Sequence, residues 1–268
     1  MKREPQKNCH CCDHVNYSRY PCYSCGQAIA DTYRCDQCGH IYRHYKEDVA
    51  EFHEGDAYRV GQFEKDKKSF KSLGPLREAK RAIRCQNQLG LVKQYIKENE
   101  SLMDLATGTG VFLKEAKKYY KNLKGSDIHR TVATHNAIAN PEVEIVISDV
   151  FLMDEDVTYD GITAFDVLEH IDDISKFVEK VHKISNKYFI LQVPCDREPF
   201  PPPNEPFHHL NAHCAGQFDG HVHYYTEQSL KTLFCKNNLF SSEIIEKVAP
   251  GILANGAEMI AVFKKTEK

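Results

Sequence analysis

Three C-x2-C cysteine pairs recur in register near the N-terminus: CHCCDHVNYSRYP, CYSCGQAIADTYR and CDQCGHIYRHYKE, each beginning 13 residues after the one before. Two thiolates three residues apart can grip one ion from a single tight turn, and two such turns complete a tetrahedral site. Glycine after the second cysteine favours that turn, because it takes positive φ and leaves backbone amides facing the sulfurs. Gly26 and Gly39 supply it, and the first pair has Asp13 instead. Seven of the 11 cysteines fall between Cys9 and Cys38. In a reducing compartment such crowding points to metal rather than to disulfides. The spacing therefore predicts one zinc held by Cys22, Cys25, Cys35 and Cys38. Cys9 and Cys12 either join His10, His14, His40 or His44 at a second zinc, or pair with the third unit and leave the middle one over. The spacing does not match the ferredoxin patterns of iron–sulfur proteins. A site closed by four protein ligands has no open position, so its expected role is structural.

The remainder of the chain is long enough to bury a core without such a staple, at 268 residues in all. With 35 basic against 38 acidic residues, it lacks the overall positive field that steers proteins onto nucleic acid. No run of about 18 apolar residues is present to cross a membrane, and MKREPQKNCHCC has no apolar core of the secretory kind. The expected location is the cytoplasm, with no membrane partner.

Three segments are expected: a zinc-binding module over 1–48, a linker and leading helix over 49–98, and a catalytic domain over 99–268. The linker is charged, with FEKDKKSFKS as its most polar part. After Gly74 and Pro75, the residues Leu76, Ala79, Ile83, Leu89, Val92 and Ile96 recur as on one helical face. Lys65, Lys67, Lys68, Lys71, Arg77, Lys80, Arg81 and Arg84 form the one basic concentration. It reads first as a solvated face, and second as a grip for RNA or a phosphate-bearing substrate.

From residue 101 the pattern is α/β. SLMDLATGTGVFLKEAKKYY reads as a strand ending at Asp104, a small-residue loop and an amphipathic helix, the arrangement in which a cofactor approaches backbone. LKGSDIHRTVA ends a second strand at Asp127, 23 residues later, near the spacing at which a carboxylate accepts ribose hydroxyls. VEIVISDV places Asp149 after a third strand, and YDGITAFDVLEH places Asp166 after a fourth. Four acidic strand ends define a binding edge along the carboxyl ends of a parallel sheet. A dinucleotide site would want a third glycine; ATGTGVFLKE lacks it, so a cofactor without phosphate is expected.

MDLATGTGVFL, GSDIH, SDVF and FDVLEHIDDISKFVEKVHKI resemble the motifs of class I S-adenosylmethionine (SAM) dependent methyltransferases, a likeness that covers 99–268 and includes HVHYYTEQSLKTLFCKNNLF. The resemblance implies an α/β, Rossmann-like doubly wound sheet behind a small cysteine-rich zinc module. That layout is similar to sugar C-methyltransferases and other saccharide-modifying methyltransferases, and to some ribosomal RNA methyltransferases. By the resemblance, Asp104, Gly108 and Gly110 would hold the methionine part, Asp127 with Ile128 the ribose, and Asp149 with Val150 the adenine. Asp166 would lie near the sulfonium. Ala106 stands where the family usually has its first glycine.

For the acceptor, the N/D-P-P-Y/F signature of amine-methylating enzymes of nucleic acid and protein is replaced by Asp166-Val167-Leu168-Glu169-His170. No cysteine at that strand end offers a covalent pyrimidine mechanism. The proline-rich stretch after the fifth strand carries His208, His209, His213, His221 and His223, and its length suits a lid or acceptor pocket. His223 and His170 are the leading candidates for a general base. A metal at these histidines, aided by Asp219, is a weaker alternative. The expected function is SAM-dependent methyl transfer to a small-molecule or saccharide hydroxyl or acidic carbon. RNA methylation through the zinc module, and a non-enzymatic partner-binding role, are the alternatives.

Overall fold

The computed structural model describes residues 8–24, 27–45, 74–194, 221–248 and 258–267, apart from the side chains of 20–30, 45 and 74–80. Cys25, the side chain of Cys22, Lys65, Lys67, Lys68, Lys71, His208, His209, His213 and Asp219 thus lie outside the described residues.

Two sheets are present among the described residues. The small one runs β1 (Tyr17–Ser24), β2 (Gln27–Cys35), β3 (Ile41–Tyr45) and β9 (His223–Tyr224), all antiparallel. Its fourth strand comes from far along the chain, with Tyr42 opposite His223 and Ile41 opposite Tyr224. The N-terminal module expected over 1–48 therefore borrows an edge from the domain that follows it.

The large sheet is built from β4 (Leu102–Leu105), β5 (Leu123–Asp127), β6 (Glu144–Ile147), β7 (Tyr159–Phe165), β8 (Ser185–Pro194), β10 (Phe240–Val248) and β11 (Glu258–Lys265). Its order is β10-β11-β8-β7-β4-β5-β6, with β8, β7, β4, β5 and β6 parallel and β11 antiparallel to both its neighbours. The helices are α1 (Gly74–Tyr95), α2 (Val111–Ala116), α3 (Arg130–Ala139), α4 (Ile174–Ile184) and α5 (Glu227–Cys235).

Period-two alternation divides the core between the faces of this sheet. Phe189 and Leu191 of β8, with Ala261 and Phe263 of β11, pack on one face against Phe177, Val181 and Phe234 of α4 and α5. Ile190 and Val262, the residues between, pack on the other with Leu89 and Val92 of α1 and Leu113 of α2. Both faces being covered makes the parallel strands near-continuously apolar, as in LQV and FIL of β8.

The helices start where the sequence lets them. Asp173 caps α4 by accepting the Lys176 amide at 3.0 Å, and Phe177, Val178, Val181 and Ile184 then fall on its buried stripe. Thr226 and Ser229 form a capping box at α5. On α1 the expected face shifts slightly: Cys85, Leu89 and Val92 are buried, but Ile83 is 50% exposed. No helix among the described residues is long and apolar enough to cross a membrane.

Phe234 is fully buried and stacks on Phe263 with ring centroids 4.3 Å apart. Phe234→Ala should lower unfolding free energy by about 3–5 kcal/mol, read from the midpoint of urea denaturation at unchanged slope.

Candidate functional site

The carboxyl ends of the parallel strands gather the acidic residues expected there. Asp104 lies within β4 and is buried; its Oδ1 accepts the Thr163 hydroxyl of β7 at 2.7 Å. Burial pushes its carboxyl up to about 6, while hydrogen bonds from Thr163 and Thr107 pull the other way. A buried carboxyl of this kind gains most from an arriving cation.

Asp127 closes β5 and ties two loops together: Oδ2 accepts the Gly108 amide at 3.0 Å and Oδ1 the His129 amide at 2.8 Å. Ile128 beside it is 54% exposed, a large aliphatic at the mouth of the edge. Asp149 caps the short 3-10 turn Val150–Leu152 by accepting the Phe151 amide at 3.0 Å, with Val150 packed against the core.

Between β4 and α2 the chain takes positive φ three times, 49° at Ala106, 56° at Gly108 and 76° at Gly110. The glycines have different reasons to be there. A methyl added at Gly108 meets nothing within 4 Å, so its backbone borders open space, whereas one at Gly110 would stand 1.9 Å from Asn136 Oδ1. Asn136 and Asn140 of the α3 region brace the loop, Asn140 Nδ2 donating to the Gly110 carbonyl at 3.2 Å. Sequence reasoning missed both asparagines; their spacing of four residues, one helical turn, was the available signal. Ala106 keeps the loop conformation without glycine, at a strain of about 1 kcal/mol.

Asp166 follows β7 with φ of 58°, and its carboxylate is paired. Arg84 of α1 reaches it at 2.7 Å and Glu258 of β11 at 3.2 Å. Gln192 donates to Glu258 and accepts from Gln88 at 2.9 Å. Arg84, which in sequence belongs to the solvated basic stretch, is thus turned inward onto the sheet edge.

The cysteines assemble in the combination the spacing left second. Cys9, Cys12, Cys35 and Cys38 have their sulfurs within 4.8 Å of one another, with Cys9 to Cys38 at 3.6 Å and Cys12 to Cys35 at 3.5 Å. The first and third pairs form equivalent knuckles. Cys9 N donates to His14 O and Cys35 N to His40 O, both at 2.8 Å; Asp13 N and Gly39 N return to Cys9 O and Cys35 O. Asp13 and Gly39 sit at φ of 61° and 72°, so Asp13 performs the turn for which glycine was the expected residue. Among the described residues, Cys35 and Cys38 therefore group with Cys9 and Cys12, and the expected partners Cys22 (its side chain) and Cys25 lie outside them. Buried Cys11, which sequence reasoning passed over, joins them, and its hydrogen bond with that of Cys38 drives the Cys9 thiol far down in spite of burial.

His223 is also corrected. It is fully buried, and its Nδ1 lies 3.0 Å from His40 Nε2, whose other nitrogen is 3.7 Å from Cys9 Sγ. Burial, then the neighbouring His40 and His10, hold His223 well below the usual imidazole range. An imidazole sealed between the cysteines and the core braces the structure and is closed to an acceptor. His170, in the 3-10 turn Leu168–His170 just beyond β7, is half-buried and stands with His221 and Glu169 in a group whose donor atoms lie within 4.8 Å.

Comparison with known proteins agrees with this fold. The methyltransferase-domain family matches residues 77–240. Pavine N-methyltransferase of Thalictrum flavum subsp. glaucum is 29% identical over 105 residues, 37% of this chain and 30% of that protein. (S)-tetrahydroprotoberberine N-methyltransferase of Eschscholzia californica is 25% identical over 107 residues, 37% of this chain and 31% of that one. The matched stretch thus spans about a third of these relatives' length. Among solved structures, magnesium protoporphyrin IX methyltransferase from Synechocystis PCC 6803 with bound SAH has a TM-score of 0.60 at 13% identity, covering 79% of this chain and 97% of that one. Burkholderia thailandensis 1,6-didemethyltoxoflavin-N1-methyltransferase, with bound S-adenosylhomocysteine, has a TM-score of 0.55 at 14% identity, covering 92% and 100%.

The strain at Ala106 is open to test. Ala106→Gly should stabilise the chain by about 0.5 kcal/mol, the relief of positive φ outweighing the added freedom of the unfolded chain. A thermal melt checks it, and an unchanged or lower midpoint would remove the strain argument.

Proposed function

The chain belongs to the methyltransferase-domain family, and from that premise we propose that it is a SAM-dependent methyltransferase acting on a hydroxyl of a small-molecule or saccharide acceptor. The observation that carries the proposal is the edge made by Asp104, the positive-φ loop at Gly108 and Asp127. A buried carboxyl with a raised pKa suits the ammonium of the methionine part, and Gly108 leaves the backbone open to it. Asp127 suits the ribose, and Asp149 with Val150 the adenine. Bound there, SAM supplies a methyl already activated on a sulfonium, so proximity and orientation carry much of the rate. The chain's own work is to hold the acceptor at the Asp166 end of the edge and to assist loss of its proton. We assign that assistance to the Glu169, His170 and His221 group, since His223 faces the cysteines.

The cysteine cluster, in this reading, holds one structural zinc. Zinc–sulfur bonds of about 2.3 Å set a tetrahedral edge of roughly 3.8 Å, and the sulfur separations of 3.5 and 3.6 Å fit with little movement. Four protein ligands close the site.

A second reading, an amine acceptor, is favoured by the names of the curated relatives, both N-methyltransferases. RNA as acceptor loses Arg84 from its basic grip. The non-enzymatic partner-binding alternative would be favoured by a loop spoiled at Ala106, and the φ of 49° there preserves the loop. A labelled-methyl screen over nucleotide-linked sugars, polyol and phenol acceptors, amines and RNA decides among them, and absence of SAM binding by the zinc-replete protein would overturn the enzyme reading.

Asp104 sets the pH response. Its folded pKa of about 6 lies above the ordinary aspartate value of 3.8, so its contribution to the stability of the free protein is full below about pH 4 and falls as pH rises toward 6. Binding of a cationic amine needs the ionised form. SAM affinity should be full above pH 7 and drop by up to about tenfold per unit below pH 6; calorimetry in buffers of differing ionisation enthalpy should show proton release near pH 6. Asp104→Asn should weaken binding and flatten the profile.

The zinc assignment predicts about one zinc per chain by elemental analysis. Cys9→Ser and Cys35→Ser should lose it, and Cys22→Ser should keep it; the reverse pattern would restore the middle pair as ligands.

A further inference from the structure

We propose that Glu169, His170 and His221 form a site for one divalent transition-metal cation at the acceptor side of the sheet edge, separate from the cysteine cluster. The chemical role of this site rests on the methyltransferase reading, whereas the binding itself does not.

The donors converge from two stretches of chain. Glu169 and His170 lie in the 3-10 turn three residues beyond Asp166, and His221 comes in beside them just before β9. His221 Nε2 is 4.0 Å from Glu169 Oε1, and the rings of His170 and His221 meet at 4.8 Å and 72°. A cation with bonds of about 2.1 Å draws such donors to roughly 3.0–3.4 Å, so closure requires side-chain shifts of roughly 1 Å.

The frame around the donors is fixed. Val222 N donates to the Glu169 carbonyl at 2.8 Å, and Tyr225 Oη to the Leu168 carbonyl at 3.1 Å. The next residue along, His223, is held by His40 in the cysteine module. Rigid support of this kind is what a metal site needs to keep its ligand geometry.

Charge favours a cation as well. Glu169, fully buried beside His221, offers a cation a carboxylate ligand in a low-dielectric setting, where opposite charges interact strongly. Two imidazoles and one carboxylate leave coordination positions open, unlike four thiolates.

The open positions suit the acceptor oxygen. Held on the cation, the hydroxyl becomes more acidic and its proton passes to solvent. The oxygen lone pair then forms the bond to the methyl carbon, the carbon–sulfur bond breaks with its electrons on sulfur, and the sulfonium becomes a neutral thioether. The part of the Glu169, His170 and His221 group in removing that proton is thus to hold the ion that acidifies the hydroxyl, and water carries the proton away.

Mn2+ is the probe, because imidazole and carboxylate donors hold it and thiolate sites prefer zinc. The full zinc-loaded chain, titrated with Mn2+ and followed by electron paramagnetic resonance, should bind one Mn2+. Glu169→Gln and His221→Ala should each weaken it at least tenfold while SAM binding by calorimetry persists and shows the fold intact. No Mn2+ binding by the unaltered chain, or unaltered binding by both variants, overturns the proposal. Mn2+ binding lost in the variants, in a chain that does not bind SAM, supports the site and removes the methyltransferase reading instead.

Discussion

The stretch from His221 to Thr226 is the fastening on which both halves of the molecule depend. Within six residues it accepts the Arg43 amide from β3 at Val222, donates from Val222 to Glu169, places His223 against His40, and sends the Thr226 hydroxyl to the Cys38 carbonyl at 2.6 Å. The same Thr226 caps α5. Gly39 is needed at this contact for a second reason beyond its φ, since a methyl there would approach Thr226 Cγ2 to 2.9 Å. Any loosening of the cysteine knuckles is thereby felt at the turn beyond β7.

This fastening explains why a closed thiol cluster sits ahead of a catalytic sheet. Cys9, Cys11, Cys35 and Cys38 share one apolar core with Leu168, Ile174, Phe177 and Tyr225, so the cluster is part of the wall behind the turn that follows β7. His10, lowered to about 4 chiefly by burial, packs between Tyr42 and His223 with ring centroids about 5 Å away from each. Neutral rings in a dry box transmit position well and charge poorly.

The loop between β4 and α2 is held differently, by backbone rather than by aromatic packing. Asp127 joins the two loops through amides of Gly108 and His129, and the asparagines of α3 close the loop from behind. Polar groups supported in this way keep a binding edge in shape before a ligand arrives. The Arg84, Asp166, Glu258 and Gln192 network anchors α1 across the other end of the edge.

Local regularities carried much of this in the sequence alone. The parallel strands, their acidic ends at Asp104, Asp127, Asp149 and Asp166, and the glycine loop are all set by residue periods and short spacings, which obey backbone geometry wherever the chain goes. The cysteine repeat likewise determined that C-x2-C knuckles would form. Which knuckles meet was a tertiary decision: equivalent turns at Cys9 and Cys35 are identical in local terms to any other pair, and only the path of β1 and β2 brings them together. The roles of His223 and Arg84 were decided the same way. A histidine in a polar stretch and an arginine in a basic one carry no local sign of their partners, because what seals His223 is His40, 183 residues away, and what draws Arg84 to the sheet edge is a carboxylate 82 residues away.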